Sequence, residues 1–333
     1  MSQQVPQNLF RRSLGVAGAI ALSLSSCTAS PTAGETDAPA SGAATSENTL
    51  QVVTTILPIT QFTEAVAGDR AQVTQLLPTN TGPHDYQAKP ADVQAIANAD
   101  ILVMNGLEME FFLDDTIDNA ENADLVIVDS SEGISTLAIG EGHDREGEAH
   151  DDEAHAEHAD EHGEFDPHIW LDPKRAIEQV ENIRDGLIAA DPEGEADYTA
   201  NAEVFISELT ALDGSIQTML SPFEGEIFVT LHDFAAYFAD SYGLQFETLV
   251  DIPEENPSPE DVQRVVETVQ AEGLKTILAE PQSSKGSFEA IADDLDINLS
   301  VFDPLETGEA GATQPEYYIE TMRENAENLV ASF

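Results

Sequence analysis

From residue 49 onward, short apolar runs alternate with longer stretches whose apolar residues recur three and four positions apart. The runs "LQVVTTI" (50–56), "AQVTQLL" (71–77), "DILVMNG" (100–106) and "ADLVIVDSS" (123–131) are rich in β-branched residues. They predict strands covered on both faces, as in parallel sheets. Between them, "PITQFTEAVAG" (58–68), "KPADVQAIANA" (89–99) and "MEFFLDDTIDNA" (109–120) read as helices, with Pro90 suited to a first helical turn. The second half repeats this outline. Its strand candidates are "EIFVTLH" (226–232), "LQFETLV" (244–250), "LKTILAE" (274–280) and "NLSVFDP" (298–304). Its helices are expected over 233–243, 258–273, 285–296 and 315–332.

Two helical patterns lie between the halves. Residues 173–190 place Ile177, Val180, Ile183 and Leu187 on one face. Residues 191–220 carry Tyr198, Ala202, Phe205, Leu209, Leu212, Ile216 and Met219 at alternating three- and four-residue spacing, which predicts one long amphipathic helix. At 1.5 Å per residue it measures about 40 Å, enough to span two lobes. The expected fold class is therefore α/β: lobes 49–190 and 221–333, each with a mainly parallel sheet, bridged by the helix 191–220.

The chain ahead of this pattern has a different composition. Arg11 and Arg12 precede the apolar stretch "LGVAGAIALSL", which is short for a membrane span and ends in small residues before Cys27, the only cysteine. A charged start, an apolar centre and a small-residue end describe an export signal over residues 1–27, and the arginine pair also suits a twin-arginine route. The ending "LSSC" resembles the lipobox of bacterial lipoproteins, which implies acylation of Cys27 and a membrane anchor. Residues 28–48 are small and polar and read as a tether. The expected location is outside the cytoplasm, periplasmic or on the cell surface.

Charge then narrows the partners. With 12 Lys and Arg against 64 Asp and Glu, the formal net charge is −52, and the scarcity of basic residues runs along the whole chain. A basic nucleic-acid surface is excluded, and acidic substrates are repelled. The acidity reads as a solvated surface suited to a saline exterior. Any long-range attraction of cations is screened beyond roughly 8–10 Å.

Six of the eight histidines lie in 142–173, "GHDREGEAHDDEAHAEHADEHGEFDPHIWLDP". His143, His150, His155, His158 and His162 sit among acids, glycines and alanines without an apolar period, so 141–164 is expected to be a loop that gathers metal weakly. "HADEH" (158–162) matches the H-x-x-E-H pattern of a zinc peptidase class, but that chemistry needs a buried helix and an open metal position, and the surroundings here are low-complexity. His168 differs: Pro167, Trp170 and Pro173 stiffen its segment.

Ligands of open parallel sheets collect beyond the carboxyl ends of strands. Metal-type side chains expected there are His84 in "NTGPHDY", His232 at the end of "EIFVTLH" and Asp303 in "NLSVFDP", with His168 just before the helices that leave the first lobe. Three imidazoles and a carboxylate suit Zn²⁺ at about 2.0–2.2 Å per bond. Mg²⁺ and Ca²⁺ want mostly oxygen, and Mn²⁺ prefers more oxygen than this set offers, though mixed sites accept it. Glu280, ending "LKTILAE", is expected to orient a histidine, with direct ligation as the alternative.

The segments "TGPHDYQAKPADVQAIANADILVMNG", "DPHIWLDP", "LHDFAAYFADSYGL", "LAEPQSSKGSFEAIA" and "VFDPLE" together resemble the metal-specific solute-binding proteins of ABC importers, the ZnuA/TroA-like family. The likeness runs in order from about residue 49 to the carboxyl terminus. It implies two lobes joined by a rigid helix, one metal in the cleft, and His84, His168, His232 and Asp303 at the ligand positions. Histidine at the third position and the histidine-rich stretch before "DPHIW" resemble the zinc branch. Some of its members carry a disulfide in the second lobe, which a single cysteine forbids here.

The resulting expectation is a monomeric, non-enzymatic receptor that captures Zn²⁺ and delivers it to an ABC importer permease, with binding weakened by histidine protonation near and below pH 6. The alternatives are a manganese or other divalent-metal binder of the same family, a metal buffer or adhesin without transport, and a hydrolytic metalloenzyme. No G-x-S-x-G, Walker A or G-x-G-x-x-G element supports another enzyme class.

Overall fold

The apolar runs form two sheets of four strands each in a computed structural model that describes residues 49–84, 86–139, 164–249, 258–281 and 285–333. The expected export signal 1–27 with Cys27, the expected tether 28–48 and the histidines His143, His150, His155, His158 and His162 lie outside the described residues. In the first half, β1 (Leu50–Thr54), β2 (Ala71–Gln75), β3 (Ile101–Met104) and β4 (Val126–Asp129) assemble in the order β2-β1-β3-β4. In the second, β5 (Ile227–Thr230), β6 (Gln245–Thr248), β7 (Thr276–Ala279) and β8 (Asn298–Val301) assemble as β6-β5-β7-β8. Every pairing within these sheets is parallel. Val52, Val53, Ile101, Leu102 and Val103 are buried, as expected where both faces are covered. Both orders reverse direction at the first strand of the sheet, so each sheet opens a crevice between two strand ends.

Helices cover the sheets: α1 (Leu57–Ala67), α2 (Pro90–Ala97), α3 (Leu113–Ala120) and α4 (Pro173–Ala190) in the first half, and α6 (Ala236–Tyr242), α7 (Pro259–Glu272), α8 (Lys285–Leu295) and α9 (Pro315–Ser332) in the second. Pro90 stands at the start of α2, and Asp172 caps α4 by accepting the Lys174 backbone N–H. None of the described helices is long and apolar enough to cross a membrane.

Between the halves runs α5 (Glu195–Leu220), 26 residues and therefore about 39 Å long. It starts later than the sequence pattern suggested, because Pro192–Gly194 forms a separate tight turn. Tyr198, Ala202, Phe205, Leu209, Leu212 and Ile216 are buried on it, joined by Leu220 where the pattern had offered Met219. The helix packs on α1 and α4 from one side of the chain and on α9 from the other. Residues Ser46–Phe333 accordingly group as one compact unit.

Side chains also tie the halves together directly. The Trp170 indole donates to the Pro304 carbonyl (2.9 Å), the Tyr318 hydroxyl donates to the Trp170 carbonyl (2.6 Å), and the Gln61 amide donates to the Ala312 carbonyl (2.7 Å). All four side chains that make or flank these bonds, Trp170, Tyr318, Gln61 and Phe62, are buried.

Because α5 is anchored through one buried face, Leu209→Ala is expected to lower the unfolding free energy by about 2–5 kcal/mol. Val204→Ala, at a position 62% exposed on the same helix, is expected to change it by less than about 0.5 kcal/mol. Urea denaturation of the two variants checks this, and equal losses would contradict the packing described.

Candidate metal centre

His232 follows β5 by two residues and Glu280 follows β7 by one, so both stand at the strand ends flanking the crevice of the second sheet. His84 lies in the connection from β2 to α2. His168 caps a tight turn over Ile169–Leu171 that leads into α4. These chain segments bring His84, His168, His232 and Glu306 into one group whose ligand atoms all lie within 4.8 Å of one another. Three of the four side chains are almost fully buried, and His84 retains 16% exposure.

The fourth member of the group is Glu306, where the sequence led us to expect Asp303. Asp303 spends its Oδ1 on the backbone N–H of Leu305 (2.8 Å). The chain then turns through Leu305, at φ +62°, and delivers Glu306 to the imidazoles. Distance from the strand end favoured Asp303 in the sequence. A left-handed leucine is not a turn that sequence signals announce. Glu306 nevertheless closes the quoted segment "VFDPLE", so its identity was in view even though its placement was not.

Glu306 Oε1 is the hub. It lies 3.0 Å from His84 Nε2, 3.2 Å from His168 Nε2 and 3.3 Å from His232 Nε2, and the Nε2 atoms of His84 and His168 are 3.4 Å apart. Donors at about 2.0–2.1 Å from a tetrahedral ion stand about 3.3–3.4 Å from each other. These four separations are close to that edge length, and all the donor atoms of the group lie within 4.8 Å of one another. His232 Nε2 is buried and makes no hydrogen bond despite its proximity to Glu306, so one nitrogen aimed at the centre is unsatisfied.

The opposite ring nitrogens are fixed by carboxylates. His168 Nδ1 lies 2.7 Å from Asp166 Oδ1, which also accepts the His168 backbone N–H (2.9 Å). His232 Nδ1 lies 2.7 Å from Glu280 Oε1. A carboxylate accepts only, so each Nδ1 carries its proton and each Nε2 faces the centre. Glu280, which the sequence suggested would orient a histidine, thus lies against His232 Nδ1, and Asp166, two residues before His168, is a partner that sequence reading missed. The segment is held further by Asn105, whose side-chain amide donates to the Pro167 carbonyl (3.0 Å). Next to it the buried Glu110, pushed up to about 7 by burial against the pull of the Thr55, Asn105 and Gly106 donors, pins the turn after β3.

These groups alter one another's protonation. Burial disfavours the charged ring of His168, but Asp166 and Glu306 outweigh it and lift the group to about 9. Burial likewise opposes a charged His232, and Glu280 and Glu306 raise it well above the ordinary imidazole range. Burial alone would raise Glu306, yet His84, His232 and His168 hold it well below the usual carboxylate range. Without a metal, protons on His168 and His232 offset the buried carboxylates. A cation at this centre competes with those protons, and the carboxylates extend the hold of His168 and His232 on theirs above the ordinary imidazole range.

Beside the centre, Ala138 and Phe165 form an antiparallel bridge, with Ile139 N–H to Glu164 O and Asp166 N–H to Leu137 O. The bridge brings together the two chain ends that flank residues 140–163, directly before Asp166 and His168.

A family model described as zinc-uptake complex component A, periplasmic (ZnuA), matches residues 52–332. The zinc-binding protein AdcA of Streptococcus pyogenes serotype M3 is 33% identical over 292 residues, which are 85% of this chain and 56% of that protein. The chain thus spans little more than half the length of that relative. The manganese-binding lipoprotein MntA of Halalkalibacterium halodurans is 30% identical over 288 residues, 85% of this chain and 88% of that one. Among solved structures, the Zn(II)-bound ZnuA-like domain of Streptococcus pneumoniae AdcA is similar with a TM-score of 0.70 at 28% identity, over 85% of this chain and 98% of that one. The family match over 52–332 coincides with the two parallel sheets and the histidine–glutamate group, and this chain belongs to the ZnuA family.

Proposed function

We propose that this protein captures one Zn²⁺ between its two sheets and delivers it to the membrane permease of an ABC importer. The observation that carries the reading is the group His84, His168, His232 and Glu306, whose four donor atoms converge from separate segments of both halves. Three imidazole nitrogens and one carboxylate oxygen are a zinc-type set, and the carboxylates on two of the imidazoles strengthen those rings as ligands. With four protein donors the coordination is closed, so the site binds and releases an ion rather than activating a water. The zinc-binding name of AdcA supports the same choice of ion.

In this reading residues 49–190 and 221–333 act as two lobes on the helix 191–220, and the ion is held where they meet. One chain supplies every donor, so a monomer suffices. Export and anchoring through a lipidated Cys27 follow from the amino-terminal sequence, and the lipoprotein name of MntA supports them. His143, His150, His155, His158 and His162 collect zinc weakly, a role that rests on their composition. The manganese-binding name of MntA favours a second reading, in which the same centre carries Mn²⁺. Zinc and manganese titrations of one preparation separate the two.

Metal analysis of the purified protein, and zinc uptake by zinc-starved cells lacking it, test the proposal. The protein is expected to retain about one tightly held Zn²⁺, and the cells to lose high-affinity uptake. Normal uptake would leave only a buffer. Glu280→Gln is expected to weaken zinc binding about 10- to 100-fold while the fold persists. Competition against a chelating indicator measures this.

The pH dependence has a fixed sign. His168 and His232 are raised in the folded, metal-free protein, so their stabilisation is complete below the unfolded imidazole value of about 6.5 and is lost as pH climbs through their raised folded values, about 9 for His168. The metal-free protein should therefore become easier to unfold between those limits. Zinc affinity should rise over the same interval, with proton release on binding at pH 7. Calorimetry in buffers of differing ionisation enthalpy reads that release, and its absence would refute the protonated resting state.

A further inference from the structure

We propose that Asp303 is a positioning residue, whose carboxylate, together with Asn325, builds the turn that delivers Glu306 to the three imidazoles. The proposal rests on the zinc-binding reading above. The last ladder bond beyond β8 runs from the Phe302 N–H to the Ala279 carbonyl (3.0 Å), and from there the chain must reverse to reach the centre. It does so through Leu305 at φ +62°, a left-handed conformation that disfavours a branched side chain. Three side chains hold it there through four hydrogen bonds.

Asp303 Oδ1 accepts the Leu305 N–H at 2.8 Å, the hydrogen bond of an Asx turn. Asn325, 2% exposed on α9, brackets the backbone of the same residue: its Oδ1 accepts the Asp303 N–H and its Nδ2 donates to the Asp303 carbonyl, both at 2.8 Å. Trp170 then takes the Pro304 carbonyl at 2.9 Å. Residues 303, 304 and 305 are each pinned in succession, and Glu306 is the next residue along. The arrangement also links Glu306 to His168, because Trp170 follows that histidine by two positions.

Asp303 is not among the donors that converge within 4.8 Å of one another. It borders a separate cavity of about 220 Å³, with Tyr317, Glu324 and Asn325 among its walls and none of His84, His168, His232 or Glu306. The task assigned to its side chain needs an acceptor oxygen and no charge. Asparagine supplies that oxygen, and alanine does not.

Zinc affinity by competition and the visible spectrum of the Co²⁺-loaded protein, measured on the full chain, test this with Asp303→Ala, Asp303→Asn and Asn325→Leu. Thermal melts of the metal-free forms establish that each variant folds. Loss of the side-chain hydrogen bonds at the turn, one in Asp303→Ala and two in Asn325→Leu, is expected to weaken zinc binding roughly tenfold or more in each variant and to alter the Co²⁺ bands. Asp303→Asn is expected to recover both the affinity and the spectrum of the parent. An Asp303→Asn variant as weak as Asp303→Ala would show that the charge or direct ligation matters, and would overturn the proposal alone. A parent protein that takes up no zinc would overturn the zinc reading and this proposal with it.

Discussion

Three carboxylates, Asp166, Glu280 and Glu306, are buried within hydrogen-bonding distance of three imidazoles, and a group so charged stays inside a protein only if positive charge balances it. Protons can provide that balance, which is why His168 and His232 hold theirs so firmly in the metal-free state. A divalent cation provides it better, since it satisfies all the inward-facing donors at once. The fold thus builds a site whose electrostatic need defines its ligand. In the function proposed here, preference for a borderline cation over a hard one would come from the three nitrogen donors among the four.

The architecture supplies this group from distant parts of the chain with little freedom left over. Each sheet contributes segments beyond its strand ends. Bonds from Trp170 to Pro304 and from Tyr318 to Trp170 then fix the His168 segment against the Glu306 segment. The backbone N–H of Gly308 also reaches the Thr79 carbonyl, linking the stretch after Glu306 to the loop that carries His84. His84 is the most exposed of the four donors.

Much of this was legible in the sequence. The β-branched runs marked the strands because parallel sheets bury both faces, and the three- and four-residue spacing of Tyr198 to Ile216 marked α5. The three histidines stood out because each lies near a strand end or in a proline-stiffened segment. What was not legible depended on backbone turns. The choice between Asp303 and Glu306 was decided by a left-handed Leu305, which nothing in a leucine announces. Asp166 escaped notice because an acid two residues from a histidine is commonplace in so acidic a chain. The raised imidazoles follow from burial beside carboxylates, a feature of three-dimensional proximity that composition does not carry.

X-ray absorption at the zinc edge, on protein loaded with less than one equivalent, tests the central claim most directly. Three imidazole rings and one carboxylate around a four-coordinate ion predict light-atom donors at about 2.0–2.2 Å, with outer-shell scattering from three rings. A six-coordinate, oxygen-rich shell with one imidazole or none would contradict it.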